Sequence, residues 1–85
     1  MKPIFKTVGK YMRKKRIDAG FSQQEIANMM GYSSSQFPSN AERGLCMYPL
    51  GKIKKVSAAL EINLSEIAGI ILEERAKEIN KALGL

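Results

Sequence analysis

Apolar residues recur along this chain with a helical period, and glycine, proline and serine cut the pattern into five segments with no convincing strand among them. The first runs from about Phe5 to Ala19, with Val8, Met12, Arg16 and Ala19 on one face and Gly20 as its stop. Arg16 in an otherwise apolar stripe requires a partner. Ser22, with Glu25 three residues on, forms a capping box that opens a second helix through Ile26, Ala27, Met29 and Met30 to Gly31, a left-handed cap. A helix this short is unstable alone and must pack on something. Its two methionines read as core.

The stretch GYSSSQFPSNAERG, Gly31 to Gly44, is harder to read. Ser33, Ser34 and Ser35 are N-cap candidates, and Pro38 is compatible with a helix only in its first turn, where its missing N–H has no intrahelical partner anyway. The third helix therefore starts near Ser35 or Gln36 and runs to Arg43, stopped by Gly44. A fourth begins near Pro49 and turns Leu50, Ile53, Val56 and Leu60 inward. Asn63 with Glu66 forms a second capping box and opens a fifth helix that continues to about Leu83. The pattern predicts an all-α, five-helix domain.

Composition narrows the chemistry. With 85 residues, 45% of them hydrophobic, the chain has room for one domain with a modest core. The longest apolar run, Ile67 to Leu72, is interrupted by Gly69 and is too short to span a membrane. The basic N-terminus lacks the apolar segment of a secretory signal, so a cytoplasmic protein is expected. Cys46, the only cysteine, reads as a free thiol in a partly buried loop. The absence of histidine removes the commonest general base and zinc ligand. The acids sit mostly at helical-surface spacings. No enzyme, metal or cofactor is expected.

Charge is uneven. Residues 1–55 hold eleven Lys/Arg against three Asp/Glu, a balance of +8; residues 56–85 hold three against five, −2, giving the net +6. Seven basic residues lie between Lys2 and Arg16 with no acid among them. Such a field draws a polyanion to one side of the molecule, although a solvated basic helix would look the same.

Two short helices joined by a tight glycine-containing turn are the pattern of a helix-turn-helix, whose second helix enters the major groove. The residues carry a closer likeness. RIDAGFSQQEIANMMGYSSSQFPSNAERG, followed by KIKKVSAALEINLSEI, resembles the phage repressor/Cro-type (XRE-like) helix-turn-helix family over roughly residues 7–70. The matching features are Arg16, Phe21, Ser22-Gln23-x-Glu25-x-Ala27, Gly31, Glu42-Arg43-Gly44 and Ala59-Leu60; each is weak alone, and their order and spacing are specific. Departures are a Gly31-to-Glu42 interval one residue longer than the family's commonest spacing, and Pro38 and Ala41 where relatives carry bulkier apolar residues. These imply a less filled core under the third helix.

The resemblance implies a repressor/Cro-like domain over residues 1–70, with residues 71–85 a C-terminal helical extension for dimerisation. It also implies a buried ion pair between Arg16 and Glu42, the alternative being that Arg16 faces phosphate, and a phosphate-anchoring role for Gln23. The Gln23 N–H, at the positive end of a helix dipole, favours an anion. With Phe37, Pro38 and Ala41 inward, Ser35, Gln36, Ser39, Asn40 and Arg43 stay outside. These side chains suit base edges and are poor helix formers for a merely solvated face. Ser34, Lys10, Lys14 and Lys52 are further phosphate candidates, with Lys6, Lys54 and Lys55 nearby.

Beyond the usual domain, Ala68, Leu72, Ala76, Ile79 and Leu83 form a stripe that wants another surface. A symmetric dimer through Leu72, Ala76, Ile79 and Leu83 would bury it; a tail folded onto its own domain is the alternative. The reading is a homodimeric, sequence-specific DNA-binding transcriptional regulator, a repressor, on double-stranded DNA with an inverted-repeat operator. Two alternatives stay open: an antitoxin-type module with a protein partner that also binds its own promoter, and a controller protein of a restriction–modification operon.

Overall fold

The computed structural model describes residues 2–85 as five helices in chain order: α1 Pro3–Ala19, α2 Gln23–Met30, α3 Gln36–Glu42, α4 Leu50–Val56 and α5 Leu64–Leu83. No strand occurs among the described residues, so the protein is all-α. α1 starts two residues before its apolar pattern does, because Pro3 sits in the first turn, where a missing N–H costs nothing. At the start of α2 both halves of the capping box form: Ser22 Oγ accepts the Glu25 N–H at 3.0 Å and Glu25 accepts the Ser22 N–H at 2.9 Å. The Ser22 N–H, and after it the Ser22 hydroxyl, hold the Glu25 carboxyl below its ordinary pKa.

α1 packs on α3 and α5, and α2 packs on α3 and α4. Between them lies one core, built from Ile4, Val8 and Met12 of α1, Ile26 and Met30 of α2, Ala41 of α3, Tyr48, Ile53, Val56 and Leu60, and Ile67 of α5. Leu50 does not join it. It stands in the first turn of α4 and is exposed, and the buried Tyr48 just before the helix takes the inward place instead.

The residues under α3 are small on the side that meets α1. Gly9 and Ala41 bring the backbones of α1 and α3 into contact: a Cβ added to Gly9 would collide with the Ala41 carbonyl and lie 3.1 Å from that of Glu42. At the other end, Phe37 packs edge-on against Tyr48 with ring centroids 5.7 Å apart, and against Tyr32 at 5.0 Å. Beneath α3 the backbones of α1 and α3 approach closely on one side and aromatic rings pack on the other.

The second capping box forms only by half. Asn63 Oδ1 accepts the Glu66 N–H at 3.1 Å, but the Glu66 carboxylate accepts the Tyr11 hydroxyl at 2.9 Å and so ties α5 to α1. Burial, then this bond, pushes the Tyr11 phenol up to about 12. α5 passes residue 70 without a break. Along its second half Glu74 and Glu78 lie half-buried and line shallow clefts with Pro3 at the start of α1, while Ala68, Leu72, Ala76, Ile79 and Leu83 remain exposed.

Candidate nucleic-acid interface

α3 is seven residues long and takes its position from its ends. Ser34 Oγ accepts the Gln36 N–H at 3.4 Å, the first intrahelical bond runs from Ser39 N–H to the Ser35 carbonyl at 3.0 Å, and Pro38, third in the helix, needs no acceptor. At the far end Gly44, at φ 78°, turns the chain and lies against the backbone of Lys6. Phe37, Pro38 and Ala41 face inward. Gln36 and Arg43 are exposed, and Ser35, Ser39 and Asn40 are half-exposed.

The outward side chains form a network. Asn40 Oδ1 accepts from Gln36 Nε2 at 3.1 Å and from Arg43 Nη2 at 2.7 Å, while Arg43 Nε reaches the Ser39 carbonyl at 3.4 Å. Both lone pairs of the Asn40 oxygen are thus engaged. The network leaves the Asn40 amide N–H groups, the Gln36 oxygen and the outer edge of the Arg43 fork for an external partner. Such an array of donors with one acceptor, spaced along a helical turn, can meet base edges or phosphate oxygens.

Behind the face lies a buried charge. Glu42, its side chain 2% exposed, accepts from Arg16 Nε at 2.7 Å and Nη2 at 3.0 Å, and from Gln23 Nε2 at 3.1 Å. Arg16, 12% exposed, gives its third donor to the Phe21 carbonyl at 2.8 Å. The hydrogen bonds to Glu42 raise the Arg16 pKa further. Burial, reinforced by the Glu42 carboxylate, holds the Tyr48 phenol well above its ordinary range. One carboxylate therefore joins α1, the start of α2 and the end of α3, and it sets where α3 lies.

The phosphate candidates fare differently. Lys10 is exposed on α1 and Ser34 is exposed ahead of α3. Lys14 is exposed but pairs with Asp18 at 2.8 Å. Gln23 turns its amide to Glu42, so what it offers at the start of α2 is its backbone. Lys52 points inward: its ammonium donates to the Met30 carbonyl at 2.7 Å and sits 5.0 Å above the Tyr32 ring, closing the C-terminus of α2. Arg13 was not singled out by the sequence. Its guanidinium lies 3.9 Å from Glu42 with a largely exposed side chain, beside the end of α3. The available signal was its place one turn from Arg16 and seven residues from Lys6, on the side of α1 that meets α3.

Compared with known protein families, with curated proteins and with solved structures, the chain matches none.

Proposed function

We propose that this chain is a transcriptional regulator of the phage repressor/Cro type, a homodimer that represses from an inverted-repeat operator by laying α3 in the major groove. The observation that supports the reading best is the outward network of Gln36, Asn40 and Arg43, exposed on a helix whose other side is fixed by Glu42 and the core. A recognition helix needs this division: a rigid inner face to fix register and an outer face of hydrogen-bonding groups.

In this mechanism Lys6, Lys10 and Arg13 of α1 and the first N–H groups of α2 meet phosphates, which orient the protein without reading sequence. Arg43 offers its fork to guanine O6 and N7. Gln36 and Asn40, one turn apart, reach neighbouring base edges. Because Asn40 Oδ1 already holds the other two side chains, Asn40 also keeps the Arg43 fork in place.

Replacing Gln36, Asn40 or Arg43 by alanine should reduce discrimination between operator variants by about 1–3 kcal/mol, with helix content unchanged. Lys10→Ala should weaken binding to every duplex alike and flatten its salt dependence. Fluorescence anisotropy on matched and altered duplexes reads both. An equal loss on all sequences for the three α3 variants would contradict base reading.

A further inference from the structure

The two ends of α3 are held by different means. Its C-terminal end is tied through Glu42 to α1 and to the start of α2. At its N-terminal end the N-cap residue Ser35 makes no side-chain cap bond among the described residues, and the helix is only seven residues long. A helix of that length needs tertiary support. The support comes from Phe37, whose ring lies 5.0 Å from that of Tyr32 in the α2–α3 turn and 5.7 Å from that of Tyr48 ahead of α4.

Lys52 of α4 completes this ladder of rings. Its ammonium lies 5.0 Å over the Tyr32 ring and donates at 2.7 Å to the carbonyl of Met30, the last residue of α2. That carbonyl lies past the helix's own donors. α2 has no basic residue in its last turn, so the charge that complements the negative end of its dipole comes from α4, 22 residues along the chain. One ammonium thus touches the helix end before the turn and the aromatic side chain within it. Through Tyr32, a single ring contact separates it from Phe37, the neighbour of Gln36.

This is not how a lysine that serves solvent or phosphate is held. Lys54 and Lys55 of the same helix are exposed, whereas Lys52 is half-buried with its ammonium engaged. The charged hydrogen bond and the cation over the ring both favour one placement of the turn against α4. Gln36 and Phe37 are adjacent in the first turn of α3, so a shift of the Tyr32–Phe37 pair carries Gln36 with it. Arg43, about 10 Å further along the helix axis, stays with Glu42.

We propose that Lys52 is a positioning residue for base reading: by clamping the α2–α3 turn from α4, through the Met30 carbonyl and the Tyr32–Phe37 ring pair, it sets where Gln36 meets its base. This rests on the DNA-binding function proposed above and goes beyond it, in giving a share of the specificity to a residue that touches no DNA.

The test compares Lys52→Met and Lys52→Arg in the full chain, first without DNA. In amide NMR spectra of the folded protein, Lys52→Met should move the Gln36 and Phe37 signals and leave those of Glu42 and Gly44 in place. Lys52→Arg, which keeps a cation over the ring, should restore the wild-type positions. A loss of stability alone would not move native signals. On duplexes with single base-pair changes, Lys52→Met should lose discrimination about tenfold at the pair where Gln36→Ala loses it. It should keep discrimination where Arg43→Ala does not, with the salt dependence of binding unchanged. Uniform weakening on every duplex with a flatter salt dependence would make Lys52 a phosphate contact and overturn the proposal. Unmoved Gln36 and Phe37 signals would overturn the clamp and leave the DNA reading standing. Moved signals in a protein that binds no duplex would contradict the DNA reading, and the positioning role with it.

Discussion

Glu42 is the charge on which the arrangement of α1, α2 and α3 depends. It is buried, and three donors from two other helices converge on it at 2.7 to 3.1 Å. A buried pair of this kind adds little over a well-packed apolar substitute, but removing one partner leaves the other charged and desolvated. Glu42→Gln should therefore cost about 3 kcal/mol in urea unfolding, and Arg16→Met with Glu42→Leu should recover much of that loss. A cost below about 1 kcal/mol for the single variant would mean that the pair is solvated. Arg16 was legible in the sequence as a charge out of place in an apolar stripe. Its pairing with Glu42 came from the family likeness. The Gln23 contact with Glu42 carries no local signal, since it joins residues 19 apart in the chain, and the Phe21 contact with Arg16, five residues away, runs to a backbone carbonyl that every residue has. Gly9 left none either, because a glycine that lets two backbones touch has no hydrophobic signature.

The elements themselves were easier to read, because caps are local. Ser22 with Glu25, Gly20, Gly31 and an early Pro38 are written within a few residues of the ends they define. What was misread depends on neighbours. Leu50 matches an inward period but stands in a two-turn helix whose approach is filled by Tyr48. Glu66 matches a capping box but meets Tyr11 from α1. Burial of the Tyr11 phenol, together with that bond, gives the α1–α5 junction a pH dependence. The Tyr11 pKa is raised from 10.0 to about 12 in the fold, so the stabilisation is complete below pH 10 and is lost as pH rises from 10 through about 12. Tyrosinate absorbance should show one phenol titrating near pH 12, and Tyr11→Phe should delete that step. A Tyr11 step at pH 10 would mean that the junction is open.

At the scale of the whole molecule, size and charge fit one another. The chain extends 42 × 24 × 20 Å, a length consistent with the 20-residue α5, and no described helix is long and apolar enough to cross a membrane. The excess of positive charge lies in residues 1–55, which supply the proposed DNA-facing helices, and the acidic residues of α5 lie in the other part of the chain. A nucleic acid approaching from the α1–α3 side, as proposed, would meet an attractive field, and its binding should then weaken with salt. The broad charge division was legible from composition. Which lysines are free was not, since Lys52 and Lys14 are engaged by a helix end and by Asp18.

The measurement that bears most directly on the whole account is selection of bound duplexes from a random DNA pool by the full-length protein. The account expects enrichment of an inverted repeat with half-sites about one helical turn apart, lost on replacing Asn40 and Arg43. A pool that emerges unenriched, or a protein that retains no duplex at low salt, would contradict it.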